Sequence, residues 1–285
     1  MIQSMTGYGK AIVQLPTKKI TIEIKSLNSK NIDLNARVPS YYREKELDMR
    51  KTIAAKLERG KIDFSIFVEL TAEETAAKIN KPIVLSYINQ LREIASADDF
   101  EMLKLAVKLP DALKVERDEL DELEWIHVDK ALEESLQKIM QYRIDEGAVL
   151  QSEFKNRIGN IQNLLEKITK LDTARVEKIR ERLHSSLAEI MADFDQNRLE
   201  QELIFYLEKL DITEEIVRLK MHLSYFEDEL NNKESNGKKL GFISQEMGRE
   251  INTIGSKSND APMQKKVVMM KDELEKIKEQ LLNVL

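Results

Sequence analysis

Residues 20–38, ITIEIKSLNSKNIDLNARV, decide the fold class of the N-terminal region. Ile20, Ile22 and Ile24 alternate with Thr21, Glu23 and Lys25; Ile32, Leu34, Ala36 and Val38 alternate with Asp33, Asn35 and Arg37. A period of two with one polar side marks strands that bury one face, and it predicts antiparallel pairing. Asn28 and Ser29 stand where a turn would join the two strands. A third run, KIDFSIFVEL at 61–70, repeats the alternation through Ile62, Phe64, Ile66 and Val68. Between them, residues 40–58 read as a helix capped by Ser40. Leu47, Ile53, Ala54 and Leu57 form its apolar side, and Gly60 stands just past its end.

Further along, the spacing becomes helical. Lys81–Ile94 reads as a short helix beginning near Pro82, and Pro110 breaks up an irregular stretch over 98–126. From about 129 to 195 the pattern is one long amphipathic helix. Within it, Ile158, Ile161, Leu165, Ile168 and Leu171 approximate a heptad over a coiled-coil-like arm at 157–190. A helix over 198–232 has the seam Ile212, Ile216, Leu219, Leu223, Phe226 and Leu230. The loop NNKESNG (231–237) leads to a polar helix at 240–257. Ser258-Asn259-Asp260 then caps a last helix with Pro262 in its first turn and a seam from Met263 to Leu281. The expected fold is α+β: a small β-rich N-terminal domain (1–155, with its following helices) and a helical arm and C-terminal domain (156–285).

The composition narrows the chemistry. With no cysteine, disulfides, thiol catalysis and cysteine-held zinc or iron–sulfur sites are excluded. MIQSMTGYGK lacks the apolar core of a signal peptide and no run is long enough to span a membrane, so a cytoplasmic protein without membrane partners is expected. The 45 lysines and arginines against 51 acids leave a net charge of −6, so contact with a polyanion must use local basic clusters. SMTGYG lacks the spacing and lysine of a phosphate loop, so no nucleotide cofactor is expected. Nor does a Ser–His–Asp set stand out among three histidines.

One stretch, GFISQEMGREINTIGSKSND (241–260), has the character of a site. Glu246 and Glu250 share one helical face, with Thr253 and Lys257 continuing it. Like charges at that spacing destabilise a helix by about 0.2–0.5 kcal/mol. A hard divalent cation such as magnesium or manganese would relieve that repulsion. Gln245, Arg249, Asn252 and Ser256 run beside it. The bland alternative is a surface paired through Arg249 and Lys257. On the preceding helix Asp211, Glu215, Arg218 and His222 fall on one line. Metal ligation or proton transfer is one use for them, although an ordinary exposed charged face is the commoner explanation. Two antiparallel helices could bring the stripes together, setting Asp211, Glu215, His222, Glu246 and Glu250 around one ion. The polar side of the sheet carries Glu23, Lys25, Asp33, Arg37 and Lys61, with Asn28, Lys30 and Arg59 at its rim. It reads as cross-strand ion pairing or as a phosphate-contacting surface.

Several long motifs, in order, also resemble a known family. SMTGYGKA, EIKSLNSKNIDLNARVP, LERGKIDFSI and QYRIDEGAVL resemble the N-terminal part of the YicC/YloC proteins. DITEEIVRLKMHLSYF and GKKLGFISQEMGREINTIGSKSND resemble their C-terminal part. Only about 70–130 carries little of the likeness. The resemblance implies a stress-associated bacterial endoribonuclease, metal-dependent, acting on RNA and assembled as a homo-oligomer, a hexamer with a central opening. It places Glu246, Arg249, Glu250, Asn252, Ser256, Lys257 and Asp260 on the C-terminal signature, and Asp211, Glu215, Arg218 and His222 on matching positions. Gly248 stands where asparagine is more usual and Lys25 where arginine is.

The resulting expectation is RNA cleavage with manganese or magnesium held by Asp211, Glu215, Glu246 and Glu250. His222, Glu246, Glu250 and Arg249 would be catalytic. Lys25, Arg37, Arg59, Lys61, Arg218, Asn252 and Lys257 would hold the RNA. The competing class is a non-catalytic RNA-binding or scaffold protein, which needs the cations but not the acidic pair.

Overall fold

A computed structural model describes residues 2–70, 78–96, 98–114, 121–190, 201, 204–205, 208–232 and 234–285, and a few of these, chiefly within 180–190, by their backbone alone. The chain forms two compact units. One comprises Tyr8–Ser26 and Asn31–Met140; the other comprises Met1–Gly7, Leu27–Lys30 and Gln141–Leu285. The architecture is α+β.

The first unit holds strands β1 (Gly7–Gln14), β2 (Lys18–Leu27), β3 (Ile32–Arg37) and β4 (Gly60–Leu70) in the order β1-β2-β4-β3. The alternation holds: Ile20, Ile22, Ile24, Ile62, Phe64 and Ile66 are buried. They pack with Met49, Ile53 and Leu57 of helix α1 (Glu46–Leu57) and with Val128, Leu132, Leu136 and Ile139 of helix α4 (Glu122–Ile190). The expected antiparallel pairing and turn at Asn28-Ser29 are not what forms. β3 sits at the edge, away from β2, and pairs parallel to β4 with Asp33 opposite Lys61 and Arg37 opposite Ser65. The cause lies in the connection. A helix stands between β3 and β4, and such a crossover returns the chain in the same direction.

Ser40 opens a 3-10 turn (Ser40–Lys45) instead of capping a helix over 40–58, and Leu47, expected on the apolar side, is 62% exposed. Past the helix, Gly60 has φ 128°, a conformation open to glycine, where β4 begins. Helix α2 (Lys81–Ile94) begins near its proline as expected, with Pro82 in the first turn. The stretch expected to be irregular contains helix α3 (Asp99–Ala106), whose Asp98 side chain accepts from the Glu101 N–H at 2.8 Å. Two-residue strands β5 (Lys78–Ile79) and β6 (Leu113–Lys114) pair antiparallel there.

The second unit is helical. α4 starts at Glu122, within the first unit and earlier than the pattern suggested, and enters this one at Gln141; its expected end at 195 lies outside the described residues. Ile158, Ile161, Leu165 and Ile168 are buried in the core of this unit, so that part of the helix is a packed element and not a free arm. Helices α5 (Thr213–Leu230), α6 (Gly237–Lys257) and α7 (Ala261–Leu281) complete the unit. Every expected seam residue of α5 and α7 is buried, and the Asp260 side chain caps α7 at 3.0 Å from the Met263 N–H. The start expected at 198 lies outside the described residues, but the chain breaks its helix at Asp211-Ile212 and α5 begins at Thr213. The N-terminal segment packs on the same unit: the Ser4 N–H donates to the Arg143 carbonyl at 2.9 Å. A Cβ on Gly147 would lie 2.1 Å from the Ile2 carbonyl oxygen, so only glycine admits this approach. Among the described residues no helix is long and apolar enough to cross a membrane.

Candidate active site

Helices α5 and α6 are joined by a short loop, which makes them antiparallel neighbours. Their seams turn inward: Ile216, Leu219, Leu223 and Phe226 from one, Leu240, Ile243, Met247, Ile251 and Ile254 from the other. Burying these stripes leaves the polar stripes flanking a groove between the two helices.

At one end of the groove Glu215 is buried and its Oε1 accepts from Lys257 Nζ at 2.8 Å. Its Oε2 is buried without a hydrogen-bond partner among the described residues. Lys257 is fixed from behind, because Arg175, 5% exposed, donates to the Lys257 carbonyl at 3.0 Å and to the Leu210 carbonyl at 2.7 Å. Asp211 is not on the α5 stripe. It precedes the helix, and its Oδ1 accepts from the Thr213 N–H at 2.9 Å and the Thr213 hydroxyl at 2.6 Å. Those hydrogen bonds, with the charge of Lys257, hold its carboxyl below the usual carboxylate range.

At the other end His222 and Glu246 line one open cavity with Met221, Tyr225 and Phe242 among its walls. Arg249 Nη1 donates to Glu246 Oε2 at 3.0 Å, which answers part of the repulsion expected along this stripe. Glu250, one turn further along, is 4% exposed. Arg218 pairs with Glu214 of its own helix and is exposed, as is Asn252. Gln245, Arg249, Asn252 and Ser256 all face water. Gly248 is buried, where a Cβ would come within 3.3 Å of Leu274 Cδ2. A larger residue at Gly248 would push against α7.

The structure therefore unites His222 with Glu246 and Glu215 with Lys257. It does not gather Asp211, Glu215, Glu246 and Glu250: among the described residues no group of three or more His, Asp or Glu is placed to hold a metal. The pair Glu246 and Glu250 fits a smaller requirement. Glu250 has no ion pair among the described residues, so its carboxylate remains available to a cation. Magnesium commonly takes one or two carboxylates and completes its shell with water and substrate phosphate oxygens.

The four basic residues expected to bind flanking phosphates belong to the other unit. Lys25 and Arg37 are exposed, Lys25 Nζ lies 3.8 Å from Glu23 Oε2 and 5.8 Å from the centre of the Tyr8 ring, and Lys61 is exposed opposite Asp33. Arg59 stands where the chain passes from α1 to β4. The sequence reading missed the aromatic walls of the cavity. Tyr225 lies three positions after His222, and Phe242 four before Glu246, so helical spacing alone places them on the site's own face.

Two family models match the chain: Endoribonuclease YicC-like, N-terminal region, over residues 2–152, and Endoribonuclease YicC-like, C-terminal, over 168–285. A protein of Clostridioides difficile named "Probable endoribonuclease YicC" is 36% identical over 293 residues, with both chains covered in full. A Haemophilus influenzae protein of the same name is 29% identical over 287 residues, again covering both in full.

Proposed function

This chain belongs to the YicC-like family, and on that premise we propose that it is a metal-dependent endoribonuclease whose active site is the α5–α6 groove at Glu246. The observation that carries the reading is Glu250. It is a carboxylate 4% exposed and without an ion pair among the described residues, one helical turn from Glu246, which lines the cavity together with His222. Glu246 and Glu250 would hold one magnesium or manganese ion, which would supply charge neutralisation at the phosphate and a more acidic water. Glu246 takes the proton of the attacking water as its oxygen bonds to phosphorus. His222 protonates the leaving oxygen as the P–O bond breaks. Arg249 orients Glu246 through their 3.0 Å contact. Lys257 keeps two of its three ammonium donors for a phosphate while Glu215 occupies the third. Arg218 and Asn252 extend this contact along exposed helix faces.

Lys25, Arg37, Arg59 and Lys61 bind flanking phosphates in this reading. Assembly into a hexamer would concentrate these cations around one opening, which reconciles RNA binding with a net charge of −6. The test is labelled RNA incubated with purified protein, then with EDTA, then with manganese restored. Cleavage that disappears and returns supports the enzyme. Binding that survives chelation with no products at any stage would instead establish the non-catalytic RNA-binding protein. Sedimentation gives the assembly independently.

A further inference from the structure

The cavity beside Glu246 holds about 770 Å³, far more than an attacking water needs. Its walls include two aromatic rings left facing solvent, Phe242 at 58% exposure and Tyr225 at 45%. Tyr225 is held in place: Lys239 Nζ lies 5.1 Å from its ring centre, and Lys239 is anchored by Glu229 Oε2 at 2.6 Å, a carboxylate whose side chain is 5% exposed. Phe242 has no aromatic or cationic partner on its ring among the described residues. Ser224 and Asp228 bring polar groups to the same cavity, and Asp228 is exposed with no ion pair among the described residues.

Resting on the reading above, we infer that this cavity receives one unpaired nucleobase of the RNA beside the scissile phosphate, stacked on Phe242 and read along its edge by Asp228. Aromatic faces on a nucleic-acid enzyme stack bases that are free of a duplex, because paired bases keep their faces covered by neighbours. The groove therefore selects single-stranded, looped or bulged positions. A carboxylate only accepts hydrogen bonds, so Asp228 favours a base with N–H groups on its edge. Guanine offers two adjacent donors, whereas uracil offers one flanked by carbonyl oxygens. Lys239, pinned at the rim, faces the phosphodiester that follows such a base. A second copy of this chain is the other occupant an apolar wall could take. It would bury Asp228 and Glu246, and uncompensated buried carboxylates are costly.

The experiment uses the full chain, manganese and a labelled hairpin RNA with one loop. Loop positions are made abasic one at a time. Phe242→Ala should slow cleavage at low RNA concentration by about 10- to 100-fold, the usual worth of one base–aromatic stack, while Phe242→Trp retains activity. One abasic position should impose a similar loss on the wild type and little further loss on Phe242→Ala. Asp228→Asn should flatten the preference for guanine at that position. Wild-type cleavage rates in Phe242→Ala overturn the inference, and so does a smaller sedimenting mass, which would assign the face to copy–copy contact. If the wild type cuts none of these RNAs, the nuclease reading fails by itself. The pocket is then read by fluorescence titration with a 2-aminopurine-containing single strand. Phe242→Ala must weaken that binding by about 10-fold or more, and equal affinity refutes the pocket.

Discussion

The two ends of the α5–α6 groove carry the same residue types and use them oppositely. At the Glu215 end the carboxylate is buried and bound to Lys257, whose carbonyl Arg175 holds in turn. At the Glu246 end the carboxylate faces an open cavity and, among the described residues, is held only by exposed Arg249. The first arrangement fixes two helices together; the second leaves oxygen atoms available to a ligand. Charge stripes that look alike along a helix thus divide into a buried ion pair and an open carboxylate according to what the facing helix brings.

Glu246→Gln should separate the two ends most sharply. Removing a proton acceptor in this role costs about 10²- to 10⁴-fold in rate, so cleavage should nearly vanish. RNA binding and the thermal midpoint should stay as in the wild type; unchanged cleavage would remove Glu246 from catalysis. Lys257→Met acts on the opposite end by leaving the Glu215 carboxylate buried and unpaired. Breaking a fully buried pair costs about 3–5 kcal/mol, and the 31% exposure of the Lys257 side chain brings the expected loss to about 2 kcal/mol. The urea midpoint reads it, and Glu215→Met added to Lys257→Met should recover most of the loss. If the single variant is as stable as the wild type, the pair is not structural.

Asp260→Ala removes the cap of α7, the helix behind Gly248, for about 1 kcal/mol by the same measurement. The smallest effect belongs to Asp211. Its hydrogen bonds to Thr213 lower the folded-state pKa, so its contribution is present above the ordinary carboxylate range and is lost as pH falls through the lowered value. The stability difference between wild type and Asp211→Asn should therefore be measurable at pH 7 and shrink steadily in acid. A difference that grew in acid would contradict this assignment.

Seams were the legible part of the sequence. Met263, Val267, Met270, Leu274, Ile277 and Leu281 follow the helical period, and all six are buried. Ile20, Ile22 and Ile24 follow the strand period with the same result. Periodicity says which side of an element is buried, but not which neighbour covers it. β3 consequently looked like the partner of β2, although the intervening α1 makes it the parallel partner of β4. Asp211 looked continuous with Glu215 because spacing cannot show that its side chain would take the Thr213 N–H and end the preceding helix. In the site, Glu246 and Glu250 were readable as like charges one turn apart. Tyr225 and Phe242 were passed over because aromatic residues in amphipathic helices usually belong to the core, and these two do not.

Arg175 joins segments far apart in sequence: it holds the carbonyls of Leu210 and Lys257 and the carboxylate of Asp172. Each carbonyl ends a helical stretch, where backbone oxygens have no partner of their own. One guanidinium thus makes the fraying of α6 and of the preceding segment a shared event. Amide hydrogens around 208–212 and 254–258 should exchange with solvent at correlated rates. An Arg175→Lys substitution, with a single point of attachment, should let the two segments open independently.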